Sequence, residues 1–199
     1  MGGVGVMLLG AVVSGLVCLG VARLLAPRWG WVPALVVTGF VWSLTVVALV
    51  TLIPYGGAPG WVFAEDRLPY CSTDIGGPAP DGFWIFPSGQ RLLNMVLFAP
   101  SGALAVLAVA AVTRRWRVAV LLAPACWLGL AAYSFLIELV QLELARLDRA
   151  CDLTDWVDNV LGATLGLLLG LALLPVLRPW RRPVEGKEAL PAKDSPGRL

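Results

Sequence analysis

An all-α integral membrane bundle of five transmembrane helices is the fold this sequence predicts, and three observations predict it. Five apolar runs are each long enough to cross a bilayer, for which a helix needs about 20 residues. The 199-residue chain is 58% hydrophobic and only 14% charged, with a mean hydropathy of +0.80. A soluble domain is about one-quarter charged, so composition excludes that class. Finally, the basic residues segregate between alternate connections, as a multi-pass protein requires. Residues 1–182 therefore form a single five-helix membrane domain, with no room for a soluble one. Residues 183–199 are polar, contain Pro and are expected to be disordered.

The first run, Val4–Leu25, has no basic segment ahead of it. It is also longer than the roughly 7–15 residues of a signal-peptide core, so it reads as a retained helix. The second, Trp31–Ile53, follows a short turn, Ala26-Pro27-Arg28-Trp29-Gly30, as antiparallel neighbours need. Residues 54–91 make the one long loop, rich in Gly and Pro and carrying Trp61, Tyr70, Phe83, Trp84 and Phe86. Aromatic side chains at that level suit a headgroup belt, and an aromatic ligand platform is the alternative.

The third run, Leu92–Val112, holds Asn94 near its beginning, and the fourth, Val118–Leu139, closes on Glu138 and Gln141. Glu138 lies about 20 residues after Arg117, or about 30 Å along a helix, which is one hydrocarbon thickness. Glu138 and Gln141 are three apart and so share a helix face. The fifth run, Trp156–Leu177, begins after Asp152 or Thr154, either suited to cap it. Asp155 and Asn159 are four apart, and the stripe continues as Gly162, Gly166 and Gly170. That small-xxx-small pattern lets another helix approach closely.

Arg23 and Arg28 fall at the first connection, and Arg114, Arg115 and Arg117 at the third. Arg178, Arg181, Arg182, Lys187, Lys193 and Arg198 follow the last run, so eleven of the fifteen basic residues share one side. The other side holds Arg67, Arg91, Arg146 and Arg149 against nine carboxylates. The positive-inside rule then expects the N-terminus outside, the C-terminus in the cytoplasm and the polar groups at the outer face. Nothing in this distribution suits nucleic acid, and the lipid bilayer is the expected partner. Cys71 and Cys151 both fall on the expected outer side, where a disulfide is permitted but the spacing leaves pairing open. Cys18 and Cys126 lie inside apolar runs and read as packing residues.

Three helices thus bring Asn94, Glu138, Gln141, Asp155 and Asn159 to one depth, with Arg149 and Asp152 in the adjoining loop. The same residues carry a resemblance. Asn94-x-x-x-Phe98-x-Pro100-x-Gly102 resembles the first signature of the VanZ-like family of bacterial membrane proteins. Glu138-x-x-Gln141, followed by Arg149-x-x-Asp152-x-x-Asp155-x-x-x-Asn159-x-x-Gly162-x-x-x-Gly166, resembles the second, the two covering about residues 90–170. The resemblance implies a polytopic protein of the bacterial plasma membrane and cell envelope. The namesake's link to low-level teicoplanin resistance makes antibiotic resistance the expected setting. The Gln141–Arg149 connection departs from the pattern, holding Glu143, Arg146 and Asp148 where apolar and Gly residues are expected.

Three readings of the cluster stay open. In the first, Arg149 takes a phosphate or carboxylate through its bidentate fork while Asn94, Gln141 and Asn159 donate to sugar or peptide groups. A lipid-linked cell-wall precursor, a lipid headgroup or a glycopeptide presents such chemistry. In the second, Arg149 pairs with Glu138, Asp152 or Asp155 in a network that only holds helices in register. In the third, Glu138 and Asp155 divide acid and base roles on an envelope lipid, or Glu138, Asp152 and Asp155 bind Mg²⁺ or Ca²⁺. No cofactor is implied, no nucleophile constellation is evident, and the absence of histidine argues against zinc.

Overall fold

In a computed structural model of the chain, the described residues are 3–53, 70, 71, 73, 89–143 and 151–181. They form five α-helices and, among the described residues, no strand: α1 (Val4–Trp29), α2 (Trp31–Leu52), α3 (Gly89–Thr113), α4 (Trp116–Glu143) and α5 (Leu153–Leu177). All five are long and apolar enough to span a bilayer, so this is a multi-pass membrane protein. Helices α1, α3, α4 and α5 outrun their apolar runs, since a helix satisfies its own backbone, whereas α2 ends at Leu52, one residue before the end of its run. At 28 residues α4 is about 42 Å long, which carries its last turns past the hydrocarbon into the headgroup zone.

The Ala26–Gly30 turn is a correction. Helix α1 continues through Pro27 to Trp29, and Gly30 alone separates it from α2. A proline in the last turn removes only one ladder bond, whereas Gly30 adopts φ 89°, a conformation that side chains disfavour. Residues 54–69 and 183–199, with the loop aromatics Trp61, Phe83, Trp84 and Phe86, lie outside the described residues.

Helix α3 is the centre of the bundle. Ten of its residues are buried, from Phe98 to Ala111, against three in α1, which packs on α2 at the edge. Hydrocarbon offers helices no hydrophobic drive to associate, so close packing and interhelical hydrogen bonds must hold them. Both are present. The core between α2, α3, α4 and α5 uses Val36, Val106, Ala110, Ala119 and Leu167 at one level and Val47, Phe98, Ala105 and Ala163 at another. Trp42 Nε1 of α2 donates to Ala11 O of α1 at 2.9 Å, and Ser101 of α3 donates to Ser43 of α2 at 3.0 Å. Tyr133 of α4 reaches Leu44 O of α2 at 2.8 Å, and Trp127 of α4 reaches Thr164 of α5 at 2.8 Å.

The closest pairing is between α3 and α5, which run parallel. A Cβ added at Gly162 would collide with the Met95 carbonyl, at Gly166 with that of Ala99 and at Gly170 with that of Ala103. Gly102 answers from α3, where a Cβ would strike the Ala163 carbonyl. The two backbones touch because these positions carry no side chain.

Candidate functional site

The polar site lies at the end of the bundle where α3 and α5 begin and α4 ends. Asp152 starts it: with extended backbone, it caps α5 by accepting the Thr154 N–H at 2.9 Å. Its own N–H donates to Glu138 Oε2 of α4 at 3.2 Å. Glu138 is therefore buried, 4% exposed, against the first turn of α5. Cys151, the preceding residue, forms a disulfide with Cys71, tying the long second connection to this helix start.

One turn further, Asn94 Nδ2 of α3 donates to Asp155 Oδ1 of α5 at 2.7 Å. Asn159 of α5 turns the other way, its Nδ2 donating to Ser134 Oγ of α4 at 3.0 Å. Asp155 and Asn159, four residues apart, thus serve different neighbours, because α5 fits between α3 and α4 here. Gln141 leaves the group: its Nε2 donates to Thr51 O at the end of α2, at 3.0 Å. Glu138, Asp152 and Asp155 do not gather into a three-group cation site, and among the described residues no such set exists. Arg149 lies outside the described residues.

Two residues that the candidate set lacked form the strongest contact. Arg91 of α3 holds Asp158 of α5 in a two-pronged fork, Nε to Oδ2 and Nη2 to Oδ1, both at 2.8 Å. Asp158 is wholly buried and the Arg91 side chain is 13% exposed. A charge-assisted fork of this kind is among the stronger polar contacts a protein makes. The spacing marks two helix faces, though not that they meet. Asp158, Gly162, Gly166 and Gly170 make a row at every fourth residue, as do Arg91, Met95, Ala99 and Ala103. Each residue of one row meets its counterpart 67 positions away in the other. The ion pair is the top rung of the glycine ladder.

One group is left over. Asn159 is 3% exposed, and its Oδ1 has no hydrogen-bond partner among the described residues. It sits one residue from Asp158, on the side of α5 that faces α4.

The chain can now be set beside known proteins. No curated protein and no solved structure matches it. A family model described as VanZ/LLP1 matches residues 40–174, a stretch that starts in α2 and runs nearly to the end of α5. The polar contacts of this site, from Thr51 to Asn159, fall within that stretch, as does the whole glycine ladder, and on this match the chain belongs to the VanZ/LLP1 family.

Proposed function

We propose that this is a cell-envelope protein of a bacterial plasma membrane whose polar end binds an envelope component and modulates sensitivity to teicoplanin-type glycopeptides. The component carries phosphate, sugar or peptide groups, as lipid-linked wall precursors, lipid headgroups and glycopeptides do. Family membership supports the setting. The Cys71–Cys151 disulfide supports an outward-facing polar end, because such bonds persist in oxidising compartments.

Asn159 carries the binding reading. A buried acceptor without a donor costs about 1–3 kcal/mol, so the working site completes it with a donor from water or ligand. At the same end of the bundle Asn94 binds Asp155 and Glu138 binds the Asp152 N–H, and Arg149, close by in sequence, is the proposed group for an anion. A second reading is favoured by the hydrogen bonds themselves. Asn94, Gln141 and Asp158 already have protein partners, as a network that only fastens helices would.

Teicoplanin susceptibility separates the two. A sensitive host would express wild type, Glu138→Gln, Arg149→Gln, Asp155→Asn or Asn159→Leu at matched membrane abundance. Binding expects protection by wild type that disappears in variants of normal abundance. Loss of abundance together with protection would favour the fastening network. Unchanged protection in every variant would remove the cluster from the function. An altered lipid or wall precursor in extracts, seen by mass spectrometry, would turn the reading towards an enzyme.

A further inference from the structure

The opposite end of the bundle holds a second arrangement. Helix α5 stops where Arg178 adopts a left-handed backbone, φ 46°, its N–H bonded to Leu174 O at 3.0 Å. The Arg181 N–H then donates to Arg178 O at 3.0 Å, closing a turn with Pro179 and Trp180 at its centre. Pro179 is fully buried, and Trp180 packs against the cluster that contains Leu174 and Ala119. The apolar middle anchors the turn, so its flanking arginines are held close; the ends of such a turn lie within about 7 Å.

Beside this turn a groove of about 460 Å³ opens between the first turns of α4 and the last turns of α5. Trp116, Val120 and Leu171 line it along the helices, and Arg178, Trp180 and Arg181 line it beyond the end of α5. Among the described residues that line it there is no carboxylate. Arg117 adds a third guanidinium nearby, stacked 5.6 Å over the Trp116 ring. The groove is thus apolar where it meets hydrocarbon, aromatic at the boundary and cationic beyond it. Those three zones match the chain, glycerol and phosphate of a lipid in order.

We propose that this groove docks one anionic diacyl phospholipid. Its phosphate lies between Arg178 and Arg181, its glycerol region against Trp116 and Trp180, and the first carbons of a chain along Val120 and Leu171. Guanidinium forks suit a phosphate, tryptophans sit at the headgroup boundary, and basic pockets between membrane helices attract anionic headgroups. The volume suits a headgroup and the start of a chain rather than a whole lipid, whose remainder stays in the leaflet.

The full-length protein would be reconstituted in phosphatidylcholine vesicles containing spin-labelled phosphatidylglycerol or, in parallel, spin-labelled phosphatidylcholine. Wild type should immobilise the anionic probe in preference to the zwitterionic one. Arg178→Gln/Arg181→Gln should weaken that preference by at least about tenfold. Val120→Trp, at a lipid-facing position, fills the groove with both arginines intact and should lose the preference as well. Arg23→Gln/Arg28→Gln removes equal charge from the same end of the bundle, on α1, and should keep it. An equal loss in that last variant, or no preference in wild type, would overturn the docking site.

Discussion

At the scale of the residue, the Arg91–Asp158 fork decides more than any other contact at the polar end. Asp158 has no exposure to water, so removing its partner leaves a buried carboxylate uncompensated. Breaking one side of such a pair costs about 3–5 kcal/mol, while replacing both sides by well-packed apolar groups is often close to neutral. Arg91→Gln and Asp158→Asn should each lower the thermal midpoint of the purified protein sharply. Arg91→Met/Asp158→Leu should recover much of the loss. If the double variant is as unstable as the singles, the fork contributes something beyond mutual compensation. Asn94, Glu138, Asp155 and Asn159 were legible in the sequence because each is a polar residue at a helix end, a position hydrocarbon makes conspicuous. Arg91 and Asp158 are equally polar, but their importance lies in a pairing across 67 residues, which no local spacing expresses.

At the scale of the element, the glycine row of α5 and the carbonyls of α3 set how closely two helices approach. The backbone of α3 occupies the space a methyl group would need at Gly162 and Gly166, and backbone moves only with its whole helix. Gly162→Ala and Gly166→Ala should therefore push α3 and α5 apart, strain the fork above them and lower the monodisperse yield on size exclusion. Gly129 of α4 is the contrast, since nothing lies within 4 Å of a Cβ there. Gly129→Ala should be neutral or gain up to about 1 kcal/mol from helix propensity. Equal damage at both places would mean that the ladder does not set the packing. The small-xxx-small spacing identified the close-packing face from sequence alone. It assigned the row's upper end to Asp155 and Asn159, whereas the row that meets α3 begins at Asp158.

At the scale of the molecule, the disulfide and the charge distribution bear on the same question of which end faces out. The bond between Cys71 and Cys151 closes a loop of 80 residues that contains α3 and α4. Chain entropy assigns a loop of that length about 4.5 kcal/mol. Cys71→Ser should lower the thermal midpoint and abolish the mobility difference between reduced and non-reduced samples on a denaturing gel. An unchanged gel pattern would show that the bond does not form in cells. The proposed topology places the C-terminal tail in the cytoplasm. A membrane-impermeant thiol reagent should then fail to label a cysteine placed at Lys187 in intact cells, and labelling there would invert the arrangement.

What the sequence by itself determined is the number of membrane-spanning helices, the helix ends that carry Asn94, Glu138, Gln141, Asp155 and Asn159, and the family. A bilayer imposes length and apolarity on every span separately, so each can be read without its neighbours. The tertiary structure decided the partnerships: Asn94 with Asp155, Asn159 with Ser134, Gln141 with Thr51 and Arg91 with Asp158. It also decided that the turn at residues 178–181 packs Trp180 against the core and frames a groove. Such contacts depend on how each helix is rotated and slid against the next, which is set by packing between distant segments rather than by any one of them.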